Sequence, residues 1–350
     1  MKLKESLSTL KAYVAGKSKN NKRIIKLNAN ECPYDVPDKI YRKAFKVKNV
    51  NRYHEPSGAF LRNKIAKELH LDNSNIILGN GSGELIKTFL EAFCEKDSKV
   101  IMPEITFSLY QLYSVINENQ IIKIPSNSNY GLNLDAMIES IDEKTKVIFI
   151  CNPNNPTGHS YDYKTLEKVF KNIPDNVGIF LDEAYINYSI HYSSSKTKKM
   201  IHDFKNLFIL RTFSKIGLAG IRIGYGVGEK SMIESLHSVR PPFNTNIFAQ
   251  KMAYFLLKEK SYIQKIVKNN QKQKKYLMKQ LSQLGFIVYD SDANFILVKA
   301  VPELDKMLEK LGILIRKTQS FGLPADYYRI TIGKPKENKA LVKGIREVLS

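Results

Sequence analysis

The sequence predicts an α/β protein with a mainly parallel sheet and a smaller α+β domain towards its carboxyl end. Short apolar runs of strand length alternate with stretches of helical character, the pattern of parallel strands joined by crossover helices. Five of these runs end in residues too polar or too small for a core, as expected where strands open onto one binding crevice at their carboxyl ends.

The first exit follows Ile76-Ile77-Leu78, where Gly79-Asn80-Gly81-Ser82-Gly83 opens a helical stretch over residues 84–93. Backbone N–H groups at such a turn, aided by the helix dipole, can cradle a phosphate, although many glycine-rich turns merely turn. The run Val100-Ile101-Met102 leads through Pro103 to Thr106-Phe107-Ser108-Leu109-Tyr110. Phe107 can lie flat on an aromatic ring or simply fill the core. Residues 147–150 lead into Asn152-Pro153-Asn154-Asn155-Pro156-Thr157-Gly158.

Residues 177–181 end in Asp182-Glu183-Ala184-Tyr185. A carboxylate after so apolar a strand needs a cation or hydrogen bonds to stay charged, and a protonated pyridine nitrogen is one such partner; a helix N-cap is the plainer use of an aspartate there. The fifth run, residues 207–210, leads into Arg211-Thr212-Phe213-Ser214-Lys215-Ile216-Gly217-Leu218-Ala219-Gly220-Ile221-Arg222. A lysine amine condenses with an aldehyde, and hydroxyls with an arginine fork suit a phosphate, so this stretch can hold pyridoxal 5'-phosphate as a Schiff base. The ordinary alternative is a solvated lysine after a strand.

From about Pro241 the texture changes. A lysine- and glutamine-rich helix over residues 261–284 precedes strands at 286–289 and 294–298, a helix at 304–311, and strands at 313–316 and 328–332. The division expected is an N-terminal arm (1–31) packing with the small domain, a large cofactor-binding domain (32–240) and a small domain (241–350). A length of 350 residues allows this.

The formal net charge is +21, from 55 Lys+Arg against 34 Asp+Glu. The lysines are scattered and form no aromatic-interleaved stripe, which argues against nucleic-acid binding and for an anionic small-molecule substrate. Cys32, Cys94 and Cys151 lie far apart with no metal-ligand or CxxC spacing, so neither a disulfide framework nor a metal is expected. The first residues lack the apolar stretch of a signal peptide and no run reaches membrane-span length, so a cytoplasmic protein without membrane partners is expected.

Taken together in this order, Asn152 to Gly158, Asp182-Glu183-Ala184-Tyr185 and Ser214-Lys215 through Arg222-Ile223-Gly224-Tyr225 resemble the aminotransferases of pyridoxal-phosphate fold type I. Further stretches narrow the likeness to the histidinol-phosphate aminotransferase family. They are Tyr13-Val14-Ala15-Gly16-Lys17, Leu27-Asn28-Ala29-Asn30-Glu31, Asn51-Arg52-Tyr53, Gly79 to Glu84, Arg240-Pro241-Pro242-Phe243-Asn244, Ala293-Asn294-Phe295 and Arg329-Ile330-Thr331-Ile332-Gly333. The resemblance implies a seven-stranded sheet in the large domain. It also implies transamination of L-histidinol phosphate with 2-oxoglutarate, giving imidazole acetol phosphate and glutamate, in histidine biosynthesis.

By the same resemblance, Lys215 would carry the cofactor and move the substrate proton, Asp182 would pair with the ring nitrogen, and Asn155 and Tyr185 would bond the phenolic oxygen. Ser82, Gly83, Thr212, Ser214 and Arg222 would hold the cofactor phosphate, and Phe107 would stack on the ring. Tyr53 would reach the phosphate of the neighbouring subunit, implying a homodimer with shared active sites. Arg329 would clamp a substrate α-carboxylate, Arg316 and Tyr13 would bind the substrate phosphate, and Asn30 would join them. Two departures bear on local geometry: Arg222 lies seven positions after Lys215 where many relatives have one more, and His54 replaces a proline common after Tyr53. Alternative activities on the same fold are an aromatic amino-acid aminotransferase and a threonine-phosphate decarboxylase.

Overall fold

A computed structural model of the protein describes residues 24–350, together with residue 7. The first strand, β1 (Ile25–Lys26), belongs to the smaller of two layers. The main sheet comprises β2 (Ile76–Gly79), β3 (Lys99–Pro103), β4 (Gln120–Ile124), β5 (Thr145–Cys151), β6 (Gly178–Asp182), β7 (Leu207–Thr212) and β8 (Gly224–Val227). Its seven strands run in the order β2-β8-β7-β6-β5-β3-β4. All point the same way save β8, which pairs antiparallel with both β2 and β7.

Helices cover both faces of this sheet, so its central strands are apolar on each side. In β7, Leu207 and Ile209 enter one core while Phe208 and Leu210 enter the other. In β5, Ile148 and Ile150 face the first core, and Val147, Phe149 and Cys151 the second. This period of two decides where the polar residues at the strand ends point.

Strands β4 and β8 escape a reading by apolar runs. Edge strand β4 is half exposed and mixes Gln120 and Lys123 with its isoleucines. Strand β8 is Gly-Tyr-Gly-Val, with glycine at every other position, and a Cβ on Gly226 would collide with the Phe208 ring.

The second layer is an antiparallel sheet of β9 (Ile287–Val288), β10 (Phe295–Lys299), β12 (Arg316–Lys317) and β13 (Tyr327–Thr331), in the order β12-β13-β10-β9. The single strand expected at 313–316 is divided. Its first part, β11 (Ile313–Leu314), pairs in parallel with β1, and Ile315 buries itself in the core before β12 joins β13. Leu27 locks the amino-terminal segment to this layer through its N–H to Leu314 O (2.8 Å) and its carbonyl from Thr331 N–H (2.9 Å).

The helix Lys260–Gln283 ties the layers together. Tyr262 and Ile266 at its start belong to the main-sheet core, as do Ala249, Met252, Ala253 and Leu256 of the preceding helix, whereas Leu277 and Leu281 near its end belong to the core of the small layer. The large core therefore extends past residue 240, where composition changes, and gives way to the small one within a single helix. Among the described residues no helix is long and apolar enough to cross a membrane, and no His/Cys/Asp/Glu group suits a metal ion.

One buried ion pair joins β6 to β7 beneath the crevice. Arg211 Nε and Nη2 donate to Glu183 Oε2 at 2.8 and 2.6 Å, Arg211 Nη2 also reaches Thr197 Oγ1 at 2.7 Å, and Tyr163 donates to Glu183 Oε1 at 3.0 Å. The side chains are 3% and 0% exposed, so neither charge can fall back on water. Removing one partner leaves the other uncompensated, so Arg211→Leu is expected to cost about 3–5 kcal/mol of unfolding free energy. A double change to Glu183→Gln and Arg211→Met should recover much of that loss in urea titrations.

Candidate active site

Between the carboxyl end of the main sheet and the second layer lies a cavity of about 630 Å³. It is lined by Asn30, Ser82, Gly83, Phe107, Asn155, Asp182, Tyr185, Thr212, Ser214, Lys215, Arg222, Arg316 and Arg329, side chains drawn from the five strand exits and the small layer. Of the remaining sequence-predicted residues, Tyr53 stands away from the cavity, 84% exposed and stacked on Phe243 at 4.5 Å. Tyr13 lies outside the described residues.

Asp182 is the last residue of β6 and shares the face of Phe180. Its Oδ2 accepts from the Tyr110 hydroxyl at 2.6 Å and its Oδ1 from Ala184 N–H at 2.9 Å. Burial dominates nonetheless, and the carboxyl is pushed up to about 6. Lys215 follows β7, on a kinked turn spanning Ser214–Leu218 in which Ile216 and Gly217 leave helical geometry. Burial, with Arg329 and Arg222 nearby, pulls its amine down to about 8, against the opposing pull of Glu31 and Asp182. The amine reaches Ala29 O at 3.4 Å and sits 5.7 Å over the Tyr185 ring.

Two backbone positions make the short Lys215–Arg222 connection feasible. Gly217 adopts φ +113, and a Cβ there would stand 2.5 Å from the Tyr262 hydroxyl and 2.8 Å from Val36. Arg222 takes a left-handed φ of 58, which turns its guanidinium back towards Ser214 Oγ at 3.2 Å and Ala219 O at 3.0 Å. That guanidinium fills the space which any side chain at Gly81 would need. Arginine fork, Ser214 hydroxyl and the start of the helix Ser82–Phe93 thus crowd onto one corner of the cavity.

The opposite wall comes from β13. Arg329 faces the cavity because it shares the side of Tyr327 and Thr331, while Tyr328 and Ile330 fill the core of the small layer. Its Nη1 donates to Asn155 Oδ1 at 2.6 Å and its Nη2 to Asn28 O at 3.0 Å. Arg316 is its register partner on β12, and Nη2 of Arg316 reaches Ser320 Oγ at 3.4 Å. Asn30, at φ 54, donates from Nδ2 to the Tyr185 hydroxyl at 3.0 Å. Lys26 and Glu31, also lining the cavity, form an ion pair at 2.9 Å.

Several contributors carry no assigned role in a motif-based reading. Tyr110 bonds Asp182, and its sole sequence signal is a helical offset of three from Phe107. Glu84 Oε2 accepts from Asn80 N–H at 2.7 Å and from Asn244 Nδ2 at 2.5 Å, pinning the glycine-rich turn to the Arg240–Asn244 segment. Asn154 braces the neighbouring loop by donating to Ile105 O at 2.9 Å while accepting from Thr106 at the same distance.

Chemically, this is a partly buried amine beside a buried acid, with an anion corner at one end and two arginines at the other. The set fits pyridoxal phosphate. Its aldehyde matches the partly buried amine of Lys215, its ring nitrogen matches the one cavity acid whose hydrogen-bond partners here are neutral donors, and its phosphate matches the corner where Arg222 fills the space a Cβ at Gly81 would need.

Residues 22–345 match the family model for aminotransferase class I and II, and the chain belongs to that family. Within it, the chain is 36% identical to histidinol-phosphate aminotransferase 2 of Oceanobacillus iheyensis, covering 99% of this chain and 98% of that protein. It is 33% identical to the histidinol-phosphate aminotransferase of Halalkalibacterium halodurans over 100% and 98%. Among solved structures, the histidinol-phosphate aminotransferase of Clostridium acetobutylicum superposes with a TM-score of 0.86 at 26% identity, over 93% of this chain and 99% of that one. The fold is also that of the Sinorhizobium meliloti histidinol-phosphate aminotransferase solved with pyridoxal-5'-phosphate, at a TM-score of 0.87 and 20% identity, over 93% and 91%.

The two buried charges predict how the cofactor-free protein responds to pH. Between about 4 and 6 the folded state holds a proton on Asp182 that the unfolded chain has lost, so this group lowers stability as pH rises through that window. Between about 8 and 10.5 the unfolded chain holds a proton on Lys215 that the folded state has lost, so stability is regained as pH rises there. At pH 7 both groups carry the cost. Lys215→Met and Asp182→Asn are therefore each expected to stabilise the cofactor-free protein by a few kcal/mol, on the order of one to three, seen as higher melting temperatures in calorimetry.

Proposed function

We propose that the protein transfers the amino group of L-histidinol phosphate to 2-oxoglutarate, giving imidazole acetol phosphate and glutamate, as a step of histidine biosynthesis with pyridoxal 5'-phosphate as cofactor. The observation that carries this reading is the meeting of Lys215, Asp182 and an arginine-flanked cavity in a chain similar over its whole length to histidinol-phosphate aminotransferases. The cofactor, when bound, supplies an electron sink for the bond-breaking at the substrate α-carbon.

The chain's own residues supply everything around that sink. Lys215 takes and returns the α-proton, a role suited by an amine drawn down to about 8. Asp182 would partner the ring nitrogen, and Asn155 and Tyr185 would bond the phenolic oxygen. Ser82, Gly83, Thr212, Ser214 and Arg222 would hold the phosphate, and Phe107 would support the ring. L-Histidinol phosphate carries a phosphate and no carboxylate, whereas glutamate carries two carboxylates. Arg316 and Arg329, adjacent across β12 and β13, suit either anion in turn, and Asn30 lines the same cavity. Tyr13 is assigned to the substrate phosphate by family likeness alone.

The exposure of Tyr53 and its stack on Phe243 support a role towards the neighbouring subunit, and we read the active unit as a homodimer with shared sites. We further read the chain as an amino-terminal arm to residue 31, a cofactor-binding domain to 240 whose core also takes in the helix Ile247–Leu256, and a small domain beyond, acting in the cytoplasm on small molecules without nucleic-acid or membrane partners.

Amino transfer should be measured from histidinol phosphate, with phenylalanine and threonine phosphate as parallel substrates. Preferred use of phenylalanine, or carbon dioxide released from threonine phosphate, would overturn the substrate assignment. Lys215→Ala is expected to abolish turnover and the absorption band of the bound cofactor together; retained activity would sink the chemistry. Arg316→Ala removes a charged hydrogen-bonding partner and should raise KM for histidinol phosphate roughly ten- to a hundredfold, read in steady-state assays.

A further inference from the structure

Tyr110 is fully buried at the start of the helix Ser108–Ile116, and none of the roles assigned above uses it. Its ring stacks on Phe149 at 4.8 Å and 11°, and meets Phe107 edge-on at 5.7 Å. Its hydroxyl donates to Asp182 Oδ2 at 2.6 Å, while Ala184 N–H holds Oδ1 at 2.9 Å. The carboxylate is therefore gripped at both oxygens, by two neutral donors from two different segments, and each oxygen keeps a lone pair for a further bond.

The other ionisable groups near this acid cannot do the same work. Glu183 points to the opposite face of the sheet and is neutralised by Arg211. The Cys151 thiol is pushed up by burial and its Sγ is directed at Pro153 O. Lys215 sits at the other end of the ring site proposed above. A hydrogen bond to the charged form of an acid favours that form, and in a dry cavity it does so more strongly than in water.

We propose that Tyr110 is a positioning residue that keeps Asp182 ionised and aimed, and so sets how strongly the site discriminates a protonatable ring nitrogen in its cofactor. The inference rests on the reading of the cavity as a pyridoxal-phosphate site. Phe107, three residues earlier, lines the cavity from the same turn, so one helix start delivers both the aromatic ring and the brace for the acid.

A purely structural tyrosine would support any ligand of this shape equally, and that separates the alternatives. Cofactor-free wild type and Tyr110→Phe are titrated with pyridoxal phosphate and with the analogue in which a C–H group replaces the ring nitrogen, and dissociation constants are read by fluorescence. Losing a hydrogen bond to a charged group should weaken Tyr110→Phe binding of pyridoxal phosphate by about tenfold or more, with the analogue unaffected. Asp182→Asn should abolish the preference, and adding Tyr110→Phe to it should change discrimination no further. Equal weakening towards both ligands, or none towards either, overturns the proposal. Wild type that binds pyridoxal phosphate without preferring it to the analogue overturns Asp182 as the nitrogen's partner. Wild type that binds neither overturns the cofactor reading itself.

Discussion

The structure depends on holding a carboxylate and an amine, Asp182 buried at the end of β6 and Lys215 partly buried just past the end of β7, where water solvates neither charge well. Burial works against both charged forms, raising the acid to about 6 and lowering the amine to about 8. Groups in that state sit close to exchanging protons near neutrality, which is what proton transfer at carbon requires. The same burial makes them a burden to the cofactor-free fold, so the surrounding scaffold must be stiff enough to keep them in place.

That stiffness comes from strand alternation. Asp182 shares the Phe180 face of β6 and meets Tyr110, whereas Glu183 meets Arg211 of β7 on the other side. Successive residues thus split a functional charge from a structural one. The Glu183–Arg211 pair fastens β6 to β7 directly beneath the residues that line the cavity, and Tyr163 and Thr197 complete its hydrogen bonds. In the small layer the same period turns Arg329 and Thr331 to the cavity while Tyr328 and Ile330 fill the core.

Anion recognition is divided between two supports. One corner belongs to the main sheet, where Arg222 packs over the Gly81 turn and Glu84 ties that turn to Asn244. The other belongs to β12 and β13, where Arg316 and Arg329 lie side by side. Because the helix Lys260–Gln283 is rooted in both cores, the distance between the corners is governed by packing along one rigid element.

Sequence alone determined the chemistry: five apolar runs, each stopping at a residue with a reason to face a ligand, and an amine, an acid and arginines in a recognisable order. Periodicity and composition are local properties, so the strands beginning near Ile76, Val100, Val147, Gly178 and Leu207 were legible, whereas Gly-rich β8 and half-polar β4 were not. Tertiary structure decided what touches what. The Tyr110–Asp182 bond spans 72 positions and the Arg329–Asn155 bond 174. The division of the 313–316 run between two sheets likewise depends on which strands arrive beside it. Such contacts are set by layer packing and crossover paths, which leave no trace in the residues on either side.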